Sequence, residues 1–265
     1  MSFADINGTK VYYESAGSGK TLVLVHAGIA DSRMWDAQFD CFARQYQVVR
    51  YDMRGFGKTQ PVAGEFSPVE DLHALLTDLN IPSAWFMGCS KGGTTIMDFA
   101  LKYPDRVEAL VMVTSNPSGY QFVGEIPPKF EELKAAFDAG DLDHAAELEV
   151  QIWVDGSGRT PDQVDAAIRD RVREMARIGL KHEKAGIGKE QAPEVKAVDH
   201  LADIQVPVLI IAGALDDYEL LEAAEKMTAE IPGARMVTIE DTAHLPNIEK
   251  PDEFNEHVLA FLEQL

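Results

Sequence analysis

Phe86-Met87-Gly88-Cys89-Ser90-Lys91-Gly92-Gly93 is the most informative segment of this 265-residue chain. Before it, Ala84-Trp85-Phe86-Met87 has the apolar run of a short buried strand. After it, residues Thr94 to Leu101 follow a helical pattern. Between the two, Gly88-Cys89-Ser90-Lys91-Gly92 is Gly-x-Ser-x-Gly, which predicts a tight strand–turn–helix corner with Ser90 at its tip. Such a corner needs nearly bare flanking positions so that strand and helix can approach. It would hold the Ser90 hydroxyl at the carboxyl edge of a sheet, above a helix N-terminus where unpaired N–H groups favour negative charge.

Working toward the N-terminus, Thr21-Leu22-Val23-Leu24-Val25 and Gln47-Val48-Val49-Arg50-Tyr51-Asp52 read as strands, the first apolar enough to be covered on both faces. Residues 2–16 alternate around Asn7-Gly8 and predict an edge hairpin. A helix is expected from Met34 to Ala43, with Asp31-Ser32 as caps. Ser67-Pro68-Val69-Glu70 is a capping box opening a helix to about Leu79. Toward the C-terminus, Ala109 to Thr114 is a sixth strand. From Ser115 to about Ala202 strand-like runs give way to helical ones, including a helix from about Pro161 to Lys181 behind the capping box Thr160-Pro161-Asp162-Gln163. Val206 to Ala212 and Ala234 to Ile239 restore the strand pattern. Tyr218 to Ile231 and Pro251 to Leu265 are helical. The alternation predicts an α/β fold with a mostly parallel eight-stranded sheet flanked by helices. It divides into a core of residues 1–114 and 203–265 and a helical lid, 115–202, inserted after the sixth strand.

Composition narrows the functions. With 24 Lys and Arg against 44 Asp and Glu, the net charge is −20, which argues against nucleic acid and anionic membranes as partners. No apolar run approaches the roughly 18 residues of a membrane span. The start, Met1-Ser2-Phe3-Ala4-Asp5-Ile6, lacks the basic-then-apolar pattern of a signal peptide. Two distant cysteines, Cys41 and Cys89, fit a reducing compartment, so a cytoplasmic protein is expected; as for assembly, the expectation is a monomer or a homodimer.

A serine hydroxyl becomes a competent nucleophile only when a base takes its proton and an acid orients that base. Later strand ends offer one segment for each. Gly213-Ala214-Leu215-Asp216-Asp217 follows one strand and Glu240-Asp241-Thr242-Ala243-His244 follows the last. Asp216, with Asp217 competing beside it, and His244 complete the chain order Ser, Asp, His. Two N–H groups must face the oxyanion. Lys91 supplies one; the loop His26-Ala27-Gly28 supplies the other, Gly28 first and Ala27 or Ile29 otherwise. Ile29, Phe130, Trp153 and Leu245 are candidate pocket residues. The Lys91 ammonium reaches either the pocket or solvent. His26 shapes its loop, and Asp52 and Arg54 brace loops around the site. No pair among His73, His144, His182, His200 and His257 has metal-ligand spacing, so no metal or cofactor is expected.

With these segments in hand, the chain resembles the α/β-hydrolase superfamily. Within it the chain is similar to lidded carboxylesterases, 3-oxoadipate enol-lactonases and cofactor-free haloperoxidase-like perhydrolases. The resemblance runs from His26-Ala27-Gly28 through Asp52-Met53-Arg54-Gly55-Phe56-Gly57 and the corner at Ser90 to Gly213–Asp216 and Asp241–Pro246. It implies Ser90 as nucleophile, His244 as base, Asp216 as acid, and the Gly28 and Lys91 amides as oxyanion donors. Two positions depart from the family pattern: Ala27 stands where the family usually has Gly, and Lys91 stands where an uncharged residue is common. The expected reaction is hydrolysis of a small carboxylic ester or lactone through an acyl-Ser90 intermediate. C–C hydrolysis or perhydrolysis by the same triad, and a ligand-binding protein with vestigial turnover, are the alternatives.

Overall fold

The computed structural model describes residues 2–265. Eight strands form the main sheet: β1 (Ser2–Ile6), β2 (Thr9–Ala16), β3 (Thr21–Val25), β4 (Gln47–Tyr51), β5 (Ala84–Cys89), β6 (Val107–Val113), β7 (Val208–Gly213) and β8 (Arg235–Ile239). Their order is β1-β2-β4-β3-β5-β6-β7-β8. The β1/β2 and β2/β4 pairs are antiparallel; all others are parallel. The β1–β2 turn needs Asn7 and Gly8 at φ of 45° and 83°, and only short or absent side chains adopt such a pair cheaply.

All five residues of β3 are buried because helices cover both faces. Alternation sorts them. Leu22 and Leu24 face a cluster with Trp35, Phe42, Phe254 and Phe261. These come from or flank α1 (Asp36–Phe42) and α9 (Pro251–Leu262), which follows the short α8 (Pro246–Glu249). Val23 and Val25 face the opposite cluster with Leu72, Leu75, Ile96 and Phe99, carried by α2 (Pro68–Asp78) and α3 (Lys91–Lys102). Each fully buried side chain of this kind contributes about 1.5–3 kcal/mol.

Residues 115–202 contribute no strand to this sheet. They carry α4 (Pro128–Ala139), α5 (Leu142–Val150), a π-helical turn at Gln151–Asp155 and α6 (Ala166–Lys184). Ala136, Ala145, Leu148, Ala176 and Leu180 pack these helices on one another. Val150, Val154 and Val172 instead root them in the α1-side core. A two-residue ladder pairs Glu65–Phe66 with Lys189–Glu190, a strand contact that the sequence pattern does not suggest.

The starts of the helices expected at 34–43 and 161–181, and the cap at Ser67, differ from the sequence expectation. The 34–43 segment begins as a 3₁₀ turn, Ser32–Trp35, capped by Asp31, and turns α-helical only at Asp36. The Thr160 capping box is present but closes a 3₁₀ turn over Pro161–Gln163; Val164 is extended, and α6 starts behind Asp165, whose side chain accepts from Ala167 N. At Ser67 the cap is one-sided. Its hydroxyl accepts from Glu70 N at 3.4 Å, while the Glu70 carboxylate turns to Tyr103 and Lys102. No helix among the described residues is long and apolar enough to cross a membrane.

Candidate active site

The carboxyl ends of β3, β5, β6, β7 and β8 lie side by side, and Gly28, Ser90, Asp216 and His244 sit where the chain leaves β3, β5, β7 and β8. Ser90 follows β5 at φ 51° and ψ −118°, a conformation that costs a non-glycine residue energy. The neighbouring glycines are required by space. A Cβ on Gly92 would lie 2.3 Å from Val25 O, and one on Gly88 would lie 2.5 Å from Gly92 O. Ser90 N donates to Val113 O at 2.9 Å, tying the corner to the end of β6.

His244 and Asp216 form a buried pair. His244 Nδ1 stands 2.9 Å from Asp216 Oδ2 and 3.1 Å from Oδ1. A carboxylate only accepts, so Nδ1 carries the proton and Nε2 is the free ring nitrogen. Asp217 does something else. Its carboxylate accepts from Glu219 N at 2.9 Å and caps α7 (Tyr218–Glu230). The His244 carbonyl accepts from Thr114 Oγ1 at 2.8 Å and lies 3.7 Å from Cys89 Sγ, which brings the His244 loop against the residue preceding Ser90. Among the described residues Ser90 Oγ makes no hydrogen bond to the imidazole. Such bonds are often long before substrate closes the site.

Gly28 packs on the start of α3, where a Cβ added to it would lie 3.6 Å from Lys91 Cβ. No backbone carbonyl among the described residues accepts from the Gly28 or Lys91 N–H. The loop before Gly28 is fixed by His26, whose Nε2 accepts from Met53 N at 2.9 Å and whose Nδ1 therefore donates to Ala27 O at 2.8 Å. Burial holds the His26 imidazole below its usual range. Asp52 accepts from Ser32 N and Lys58 N at 2.8 and 2.7 Å, and Arg54 is paired with buried Asp71 at 2.9 Å, so both brace loops.

A cavity of about 440 Å³ opens beside this corner, lined by Gly28 and Lys91 on one wall and by Glu149, Leu180 and His182 on the other. Lys91 Nζ points along it to Glu190 Oε2, 2.6 Å away. The cavity stops short of Ser90 and His244. The Trp153 indole lies on the His244 ring at 4.5 Å between centroids, and the Phe130 ring meets Trp153 edge-on at 5.7 Å. Ile29 and Leu245 are buried in the α1-side core. Glu149, on the cavity wall, has its carboxyl pushed up to about 8 by burial and by the like charge of Glu183.

Thr114 holds the His244 loop at the His244 carbonyl, Arg159 holds it at Asp241 O and Glu249 at Ala243 N, yet nothing in the residue order singles them out. Thr114 carries the one visible signal, a β-branched residue at φ 44°, and that signal is in the backbone. Among the described residues no three His, Cys, Asp or Glu side chains cluster as a metal ion would need.

The sheet order, the serine corner and the buried acid–imidazole pair define a hydrolase architecture. Residues 20–251 match the family described as alpha/beta hydrolase fold, and the chain belongs to that family of hydrolytic enzymes. It is 28% identical to the pimeloyl-[acyl-carrier protein] methyl ester esterase of Aeromonas hydrophila subsp. hydrophila, over 95% of this chain and 99% of that one. It is also 28% identical to the 2-hydroxy-6-oxononadienedioate/2-hydroxy-6-oxononatrienedioate hydrolase of Paraburkholderia phymatum, over 96% and 91%. Among solved structures it is similar to Est816, an N-acyl homoserine lactone degrading enzyme, with a TM-score of 0.79, 27% identity and 98% and 99% coverage.

Proposed function

We infer that this enzyme hydrolyses a small carboxylic ester or lactone through an acyl-enzyme on Ser90. The observation that carries the reading is the buried His244–Asp216 pair at 2.9 Å, on loops that end beside the Ser90 corner. His244 Nε2 takes the Ser90 proton as Oγ attacks the carbonyl carbon, and the carbonyl π electrons move to oxygen. The Gly28 and Lys91 N–H groups hold that oxyanion. Collapse expels the alkoxide, which receives the proton from His244. Water, deprotonated by the same nitrogen, then cleaves the acyl-serine and restores Ser90. In a lactone the alkoxide stays tethered to the product acid.

The segment 115–202 is read as a lid, and the cavity of about 440 Å³ beneath it as room for the part of the substrate remote from the scissile bond. The volume suits a small ligand. The Paraburkholderia relative supports a second reading, in which the same triad cleaves a C–C bond beside a carbonyl. A cytoplasmic location fits two free thiols.

The test is a panel of p-nitrophenyl esters, aliphatic methyl esters, lactones and a vinylogous β-diketone, run on the wild type and on Ser90→Ala. Turnover of an ester or lactone that falls at least about 10³-fold in the variant supports the reading. Full turnover by Ser90→Ala overturns it. Turnover of the diketone alone moves the assignment to the second reading.

A further inference from the structure

The C-terminal carbonyls of a helix lack intrahelical partners and must find others. At the π turn Gln151–Asp155 they find His244 and Arg159. Trp153 O accepts from His244 N at 3.1 Å. Val154 O and Asp155 O accept from Arg159 at 2.7 and 2.8 Å. Arg159 also donates to Asp241 O at 3.1 Å and pairs with Glu249 at 2.7 Å, and Glu249 in turn accepts from Ala243 N at 2.7 Å. Ser157 N donates to Leu215 O at 2.8 Å, so the same segment also holds the Asp216 loop.

The Trp153 side chain adds a second constraint. Its ring lies on the imidazole at 4.5 Å with a 39° tilt, opposite in role to the Asp216 carboxylate that grips the ring edge. Both carboxylate oxygens meet the imidazole at the single atom Nδ1, which leaves the ring able to swing about that point; the tilted indole packed on it limits the swing. The indole is itself set by Phe130 of α4, edge-on at 5.7 Å. The turn is anchored below by buried Asp155, which pairs with Arg169 of α6 at 2.8 Å.

We propose that Trp153 is a positioning residue for the proton transfer: its carbonyl fixes the His244 backbone and its indole fixes the plane of the imidazole, so that helices α4 to α6 set the base. This rests on His244 being the base. The face of an indole also attracts the imidazolium that forms when Ser90 loses its proton. The contact therefore favours the charged stage over the resting one and acts on kcat more than on KM.

The experiment compares Trp153→Phe, Trp153→Leu and Trp153→Met with the wild type on p-nitrophenyl acetate, alongside His244→Ala and thermal unfolding of each. The Leu and Met proteins are expected to lose about 10–100-fold in kcat, with KM within about threefold. Trp153→Phe, which restores a ring, recovers most of the loss. Met fills much of the volume without a π face and serves if the Leu protein does not fold. A folded Leu or Met variant with kcat within about twofold of wild type, or a loss confined to KM, overturns the proposal. If His244→Ala keeps its activity, the assignment of the base fails, and with it the reading of the reaction.

Discussion

Asp216 Oδ2 and His244 Nδ1 lie 2.9 Å apart with side chains only 3% and 2% exposed, so bulk water does not compete for that bond. A carboxylate at this point holds the imidazole in the tautomer whose free nitrogen accepts a proton. Asp216→Asn offers an amide that can present its N–H to Nδ1 and so favour the wrong tautomer. Its kcat is expected to fall about 10⁴-fold with little change in fold, the size of effect known for the equivalent swap in a serine protease triad. Asp217→Ala removes only the α7 cap and should cost about 1 kcal/mol of stability while sparing kcat. Steady-state kinetics and urea unfolding of the two variants check the contrast.

Two glycines near the corner should respond oppositely to a methyl group. In Gly92→Ala the new Cβ meets Val25 O at 2.3 Å, and backbone must shift. A loss of about 1–3 kcal/mol is expected. In Gly28→Ala the nearest atom is Lys91 Cβ at 3.6 Å, an ordinary contact, so unfolding free energy should stay within about 0.5 kcal/mol of wild type. Denaturant titration of both proteins decides it.

The sheet and the corner are legible in the sequence because they rest on local rules. Four consecutive apolar residues at 22–25 admit no exposed face, and Gly88, Gly92 and Gly93 mark a close approach whatever packs there. Asp216 and His244 are legible from chain order and their distance after a strand. Resolving Asp216 from Asp217 takes the folded structure, since both are aspartates on one turn and only side-chain direction separates a histidine partner from a helix cap. The start of α6 differs from expectation because Thr160 to Gln163 satisfies the capping rule in a 3₁₀ turn just as well as in an α-helix. The clamp of Arg159 on Glu249 joins residues ninety apart in number and leaves no local pattern to read.

Cys89 is next to Ser90 but should be chemically silent. Burial pushes its thiol up to about 12, so almost no thiolate exists near neutrality. Cys41 is only partly buried. Native protein at pH 8 is expected to release one equivalent of thionitrobenzoate from Ellman's reagent, and two in urea. Peptide mapping of the native adduct should find the label on Cys41.

Glu149 should make stability depend on pH. Its carboxyl is raised from 4.5 in the open chain to about 8 in the fold. Between those values the native state holds a proton that the unfolded state has lost, so stability falls as pH rises from about 4.5 to about 8. Glu149→Gln keeps the shape and removes the proton. The variant is expected to gain stability on the wild type as pH rises, by about 1 kcal/mol or more at pH 9, and to show no such gain at pH 4.5. Parallel urea titrations across that range measure the difference. A constant offset between the proteins contradicts the assignment.

The most direct test of the acyl-enzyme account uses diethyl p-nitrophenyl phosphate, which phosphorylates an activated serine and leaves a stable ester. Release of one p-nitrophenolate per chain is expected, with loss of esterase activity in step, a diethylphosphoryl group on the peptide carrying Ser90, and no reaction with Ser90→Ala. Labelling of another residue, or esterase activity that survives full modification of Ser90, would contradict it.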